Sequence, residues 1–214
     1  TNKHHGEQYD SPAEKRVYYF EDQRSYHTLK TGWVHDEGRW YYLQKDGGFD
    51  SRINRLTVGE LARGWVKDFP LTYDEDKLKA APWYYLDPTT AAMQTGWQYL
   101  GNKWYYLRSS GAMATGWYQE GSTWYYLDDQ NGDMMTGWTS INGDWYYLRS
   151  SGAMATGWLQ DGSTWYYLNA SNGDMKTGWF QVNSKWYYAY SSGALAVNTK
   201  VDGYYVNYNG EWVQ

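Results

Sequence analysis

The chain contains no cysteine, so neither a disulfide framework nor a thiolate metal site can form. No apolar run approaches the ~18 residues that a membrane-spanning helix needs. Phenylalanine and proline are scarce, at four copies each. Basic residues are not interleaved with the aromatics as a stripe, and the net charge is −5, which argues against nucleic-acid binding. The four histidines, His4, His5, His27 and His35, lie near the start without metal-ligand spacing, and no metal site is expected. No Gly-rich phosphate loop or nucleophile elbow is present, so neither catalysis nor a cofactor is expected. No signal peptide is visible; the polar stretch 1–10 reads as the trimmed beginning of a secreted chain.

What the chain has instead is tryptophan and tyrosine, 15 and 25 of its 214 residues. These rings join a large apolar face to a polar edge, and so suit half-buried sites and ligand cages. They also recur at a fixed interval. TGW returns at Trp97, Trp117, Trp138, Trp158 and Trp179, at spacings of 20, 21, 20 and 21 residues. Seven residues after each comes a second tryptophan, opening a WYY run: Trp104, Trp124, Trp145, Trp165 and Trp186. Such a period means a stacked array, in which any site is built several times. A longer period lies over it. Arg108 to Trp117 is repeated without change at Arg149 to Trp158, so the higher repeat is two hairpins, 41 residues.

Each repeat reads as a β-hairpin followed by a loop. Two aromatic strands flank a two-residue turn: Gly101-Asn102, Gly121-Ser122, Asn142-Gly143, Gly162-Ser163 and Asn183-Ser184. Gly-first and Asn-Gly pairs suit the positive φ of primed hairpin turns, and Asn183-Ser184 suits it least. This turn sets the register: Leu100 faces Lys103, Tyr99 faces Trp104, Gln98 faces Tyr105, and Trp97 faces Tyr106. Side chains alternate across a strand. Both tryptophans and the second tyrosine of a repeat therefore share one face. The first tyrosines, Tyr105, Tyr125, Tyr146, Tyr166 and Tyr187, point the other way and are expected to be core. A lone two-stranded hairpin is marginal in water, so each must stack on its neighbours.

The first part of the chain breaks the beat. Residues 1–16 read as an N-terminal arm, 17–96 as divergent repeats with insertions, and 97–214 as regular repeats closed by a degenerate hairpin. Val17 to Phe20 resembles a half-repeat. Trp33 and Trp40 keep the seven-residue spacing, but Trp65 is 18 residues from Trp83. The extra residues fall in 44–63 and 67–82. Asp74 and Asp76 in the second insertion are expected to be solvated charge rather than a catalytic carboxylate pair. Asp128 to Asp133 reads as a turn rather than a calcium loop. The degenerate last hairpin suggests that Gln214 is a true end.

The pattern TGWxxxxGxWYYLxxxGxMxTGW resembles the choline-binding repeat of pneumococcal and related surface proteins and cell-wall lysins. The resemblance runs from about Gly32 to the C-terminus and is cleanest from Thr95 to Leu195. It implies an all-β fold, a β-solenoid superhelix of stacked β-hairpin repeats. It also implies a ligand, choline or phosphocholine of teichoic and lipoteichoic acids, held in aromatic cages between successive repeats. The resemblance assigns to each cage the two tryptophans of one repeat and the second tyrosine of the next. On this sequence the cages are Trp97, Trp104 and Tyr126; Trp117, Trp124 and Tyr147; Trp138, Trp145 and Tyr167; and Trp158, Trp165 and Tyr188. Met113, Met134, Met154 and Met175 would line the junctions, since thioethers pack well on rings. Three less regular cages would use Trp33, Trp40 and Tyr85; Trp65, Trp83 and Tyr106, with Met93 nearby; and Trp179, Trp186 and Tyr205.

The chemistry agrees with such a ligand. A quaternary ammonium has no N–H to donate and is attracted to ring faces, at about 0.5–2 kcal/mol per contact. The reading is a secreted, non-catalytic surface protein attached non-covalently to the bacterial cell wall, with several weak sites acting together. The insertions would offer a surface to a host protein or to a lysin. Two alternatives share the repeats: the cell-wall-targeting module of a murein hydrolase, and a glucan-binding repeat protein.

Overall fold

The computed structural model describes residues 8–11, 14–17, 30–45, 59–70 and 74–214. The expected half-repeat at Val17 to Phe20, His4, His5, His27 and much of the first insertion lie outside the described residues, Val17 excepted. The chain divides after Ala114 into two compact units.

The first unit pairs β1 (Gln8–Ser11) with β2 (Glu14–Val17), β3 (Gly32–Asp36) with β4 (Arg39–Leu43), β5 (Gly64–Lys67) with β6 (Trp83–Leu86), and β7 (Gly96–Leu100) with β8 (Lys103–Leu107). A short helix, α1 (Glu75–Lys79), lies within the β5–β6 insertion. Asp74 caps it, accepting from the backbone N–H groups of Asp76 (3.1 Å) and Lys77 (3.3 Å). The second unit pairs β9 (Gly116–Glu120) with β10 (Thr123–Leu127), β11 (Gly137–Ile141) with β12 (Asp144–Leu148), β13 (Gly157–Asp161) with β14 (Thr164–Leu168), and β15 (Gly178–Val182) with β16 (Lys185–Ala189). It closes with a three-stranded sheet of β17 (Thr199–Val201), β18 (Tyr204–Val206) and β19 (Trp212–Val213). Among the described residues the fold is all-β apart from α1, as expected: two-stranded hairpins repeated in series.

The register is the one the turns dictate. Trp97 pairs with Tyr106, Gln98 with Tyr105, Tyr99 with Trp104 and Leu100 with Lys103, and the later hairpins repeat the pattern. In the Asn142-Gly143 turn both residues have positive φ, 53° and 96°. The Gly-Ser turns need positive φ only at glycine. Ser184 is forced to φ 66°, which explains why this turn looked least suitable. Ser184→Gly is expected to stabilise the second unit by roughly 0.5–1 kcal/mol, read from chemical denaturation.

The core of each unit is built on leucines. Leu43, Leu86, Leu107, Leu127, Leu148 and Leu168, each the last residue of a WYYL run, are completely buried. Within each unit, backbone hydrogen bonds then tie loops to the hairpin before their own. Met93 N–H donates to Trp40 O, and Met113 N–H to Trp83 O. In the second unit Met154 N–H donates to Trp124 O, Met175 N–H to Trp145 O and Leu195 N–H to Trp165 O. The methionine side chain in turn lies beneath a glycine of the following loop. A Cβ on Gly111 would strike Met93, one on Gly152 would strike Met134, one on Gly173 Met154, and one on Gly193 Met175. The glycine of the GxM motif is thus required for close approach. Asp128 forms the expected turn, its carboxylate accepting from Gln130 N–H and Asn131 N–H.

Candidate aromatic-cage sites

Hairpin alternation puts the two tryptophans of a repeat on one face, and the turn brings them close. Trp117 meets Trp124 edge to face, with ring centroids 6.2 Å apart and planes at 87°. Trp158 and Trp165 repeat this at 6.5 Å and 81°. Each pair forms two walls of a corner. The first tryptophan is half-buried, while the second keeps much of its surface in solvent: Trp124 is 37% exposed, Trp145 46%, Trp165 43% and Trp186 41%.

The tyrosine of the next hairpin that touches the first tryptophan is the one before that assigned by the resemblance. Trp117 receives Tyr146 from the next hairpin, at 5.0 Å and 70°. Trp138 receives Tyr166 at 4.7 Å, and Trp158 receives Tyr187 at 4.8 Å. In the first unit, Trp33 receives Tyr84 at 4.6 Å and Trp65 receives Tyr105 at 5.0 Å. These are the first tyrosines. The second tyrosines meet the first tryptophan of their own hairpins: Tyr85 on Trp65, Tyr106 on Trp97, Tyr126 on Trp117, Tyr147 on Trp138, Tyr167 on Trp158 and Tyr188 on Trp179, and Tyr167 also stacks on Phe180 of the next hairpin. The physical reason lies in stacking. A side chain that points away from its own cage face points toward the hairpin before it. In the last repeat Trp179 likewise meets Tyr204, at 5.9 Å, while Tyr205 pairs with Lys200 and Val213.

The methionines fall into the same places. Trp33, Tyr84 and Met93 pack on one core cluster, Trp117, Tyr146 and Met154 on a second, and Trp138, Tyr166 and Met175 on a third. Leu195 takes this place beside Trp158. The expected set of Trp97, Trp104 and Tyr126 draws its members from both compact units.

The indole edges divide the sites into two kinds. Trp138 Nε1–H donates to Asp161 Oδ2 (2.9 Å), and Trp179 Nε1–H donates to Asp202 Oδ2 (3.2 Å). Beyond Trp117 and Trp158 the matching strand positions hold Ile141 and Val182. The 41-residue period of the sequence is therefore also a period of site chemistry. An acceptor on the indole N–H, carrying negative charge, favours a cation on the ring face. Asp161→Asn is expected to weaken choline binding at the Trp138 site by roughly two- to fivefold, with a shallower salt dependence, in isothermal titration.

The same motif is modified in the first repeat. Trp33 Nε1–H donates to Asp68 (3.0 Å), as does Tyr42 O–H (3.0 Å), and Lys45 pairs with it at 2.7 Å. Burial pushes the Asp68 carboxyl up, but hydrogen bonds from Lys45, Trp33 and Tyr42 outweigh it and hold it below the usual carboxylate range. Burial, then Asp68, raises the pKa of Tyr42. A carboxylate with a lowered folded-state pKa stabilises the fold above its unfolded pKa and loses that contribution as pH falls through the folded value. Thermal melts should therefore show wild type losing stability faster than Asp68→Asn below about pH 4. Among the described residues no cluster of three metal-ligating side chains occurs, and no helix is long and apolar enough to cross a membrane. His35 lies against the Trp40 ring at 4.9 Å.

Fold and site together define a class: a serial β-hairpin protein whose repeats carry clustered tryptophans and tyrosines, with tryptophan corners at Trp117/Trp124 and Trp158/Trp165. Family models place it further. The choline-binding repeat matches residues 94–137 and 135–180, and the putative cell wall binding repeat matches 31–49 and 177–195. The chain belongs to the choline-binding repeat family. Among solved structures it is similar to CbpJ from Streptococcus pneumoniae TIGR4, with 66% identity over 94% of this chain and 63% of that one and a TM-score of 0.80. It is similar to CbpF from Streptococcus pneumoniae, determined in the presence of a peptidoglycan analogue, with 63% identity over 97% and 65% and a TM-score of 0.82. The choline-binding domain of CbpL from the same species shares 34% identity over 86% and 98%, with a TM-score of 0.53. The chain spans just under two thirds of the length of the CbpJ and CbpF chains. A comparison with curated proteins returned no match.

Proposed function

We propose that this chain is a non-catalytic, secreted wall-attachment protein that holds the choline of phosphocholine-bearing teichoic and lipoteichoic acids. Each cage is built from both tryptophans of one hairpin, the first tyrosine of the next and, in most repeats, a methionine. In the second unit these are Trp117, Trp124, Tyr146 and Met154; Trp138, Trp145, Tyr166 and Met175; and Trp158, Trp165 and Tyr187, with Leu195 in place of methionine. The observation that carries this reading is the second tryptophan. A ring kept about 40% in solvent in hairpin after hairpin is poor as core but well placed as a platform for a soft cation.

Weak individual sites suffice because the ligand is a polymer, and engagement at one site raises the effective concentration at the next. The similarity to CbpF, solved with a peptidoglycan analogue, and to the CbpL choline-binding domain supports a cell-wall ligand. The test is choline titration of the intact chain, followed by tryptophan fluorescence and by calorimetry with a site count. Choline should saturate several sites in the millimolar range. A chain that ignored choline, and passed unretarded through a choline resin, would refute the proposal.

A further inference from the structure

The β5–β6 repeat differs from the others in the residue that faces its second tryptophan. Lys67 is the last residue of β5 and pairs across the hairpin with Trp83, the second tryptophan of its repeat. It is two residues from Trp65, so alternation places it on the cage face. The residues opposite the second tryptophan in the other repeats are His35, Tyr99, Gln119, Ser140, Gln160 and Gln181. None of these is an alkylammonium. The Lys67 ammonium lies 5.7 Å from the centre of the Trp83 ring and 5.4 Å from that of Phe69, and it donates to Lys79 O at 3.1 Å. Phe69 and Lys79 both belong to the insertion.

We propose that Lys67 fills this repeat's aromatic cage from within, so that the cage of Trp65, Trp83 and Tyr105 takes no choline in the native chain. The inference rests on the choline-binding reading above. Its chemistry follows from that of the cage. Ring faces attract an alkylammonium as they attract a quaternary one. A tethered ammonium also needs no partner from solution, and its local concentration exceeds that of a weakly held free ligand. The Lys79 carbonyl adds selectivity, because it accepts a proton that a primary ammonium has and choline's nitrogen lacks. A second cation entering beside Lys67 would meet a like charge at close range. The insertion accordingly supplies one ring and one acceptor, and turns a ligand site into an internal contact.

The experiment counts choline sites in the full chain by calorimetry, for wild type, Lys67→Gln and Lys67→Arg. Glutamine stands opposite the second tryptophan in three regular hairpins, so the first variant restores the regular arrangement. It should gain one site. Lys67→Arg, which keeps a cation on the rings, should match wild type. In parallel, the indole N–H resonance of Trp83 should stay still in wild type at choline saturation while that of Trp145 moves. An unchanged count in a folded Lys67→Gln chain overturns the proposal, and so does a wild-type Trp83 resonance that shifts with Trp145. If wild type bound no choline at any site, the choline reading itself would be what failed.

Discussion

Replacing Trp145 and Trp165 together with alanine is expected to lower retention on choline-bearing wall polymer by roughly 100-fold. The site count for free choline should fall by two, while each surviving site keeps its affinity. The asymmetry comes from the architecture. In the proposed reading each second tryptophan is a platform for one cage, and these two stand 46% and 43% exposed. Its removal costs little core, because the buried work of the hairpin is done by Leu148 and Leu168. The loss for a polymeric ligand is multiplicative, since each missing site removes one engagement that would have held its neighbours at high local concentration. Binding of the variant to choline resin and to isolated walls, beside calorimetry with free choline, separates the two effects. Equal retention of wild type and double variant would show that the rings are structural.

The largest loss of stability is expected from Gly152→Ala. Two costs meet at this position. Gly152 sits at φ +82°, where an L residue is strained by about 1–2 kcal/mol. The new methyl would also collide with the Sδ, Cε and Cγ atoms of Met134, and overpacking of this kind costs about 1–3 kcal/mol. The sum is roughly 2–5 kcal/mol, a large share of what a compact unit of this size has. Gly162→Ala isolates the first cost, because its φ is +60° and a Cβ there meets nothing within 4 Å. Denaturant unfolding of both variants should show Gly152→Ala losing clearly more. Met134→Ala in the Gly152→Ala background should recover part of the difference.

The hairpins, their turns and their register could be read from the sequence because each depends on local rules: alternation within a strand, and positive φ at Gly and Asn. The pairing of Trp97 with Tyr106 followed from the position of Gly101-Asn102 alone. The partner of each cage could not be read the same way. Whether Tyr146 or Tyr147 reaches Trp117 depends on which face of one hairpin meets the preceding one, and the intrahairpin pattern is silent about that. Tyr146 packs on the core, as its place in the strand implies, and there it meets Trp117 of the preceding hairpin. Lys67 was hidden differently: its partners Phe69 and Lys79 come from an insertion with no repeat to compare it with.

The alternation of Asp161 and Asp202 with Ile141 and Val182 has a bearing on how such an array can change length. Arg108 to Trp117 and Arg149 to Trp158 are identical, so recombination between those stretches removes or adds 41 residues without a seam. Such an exchange keeps acid-edged and apolar-edged sites in alternation. Loss of a single hairpin would set two sites of one kind side by side. The heritable module is therefore a pair of unlike sites, and lineages can vary the number of pairs while every surviving pair keeps one site tuned to charge and one that is not.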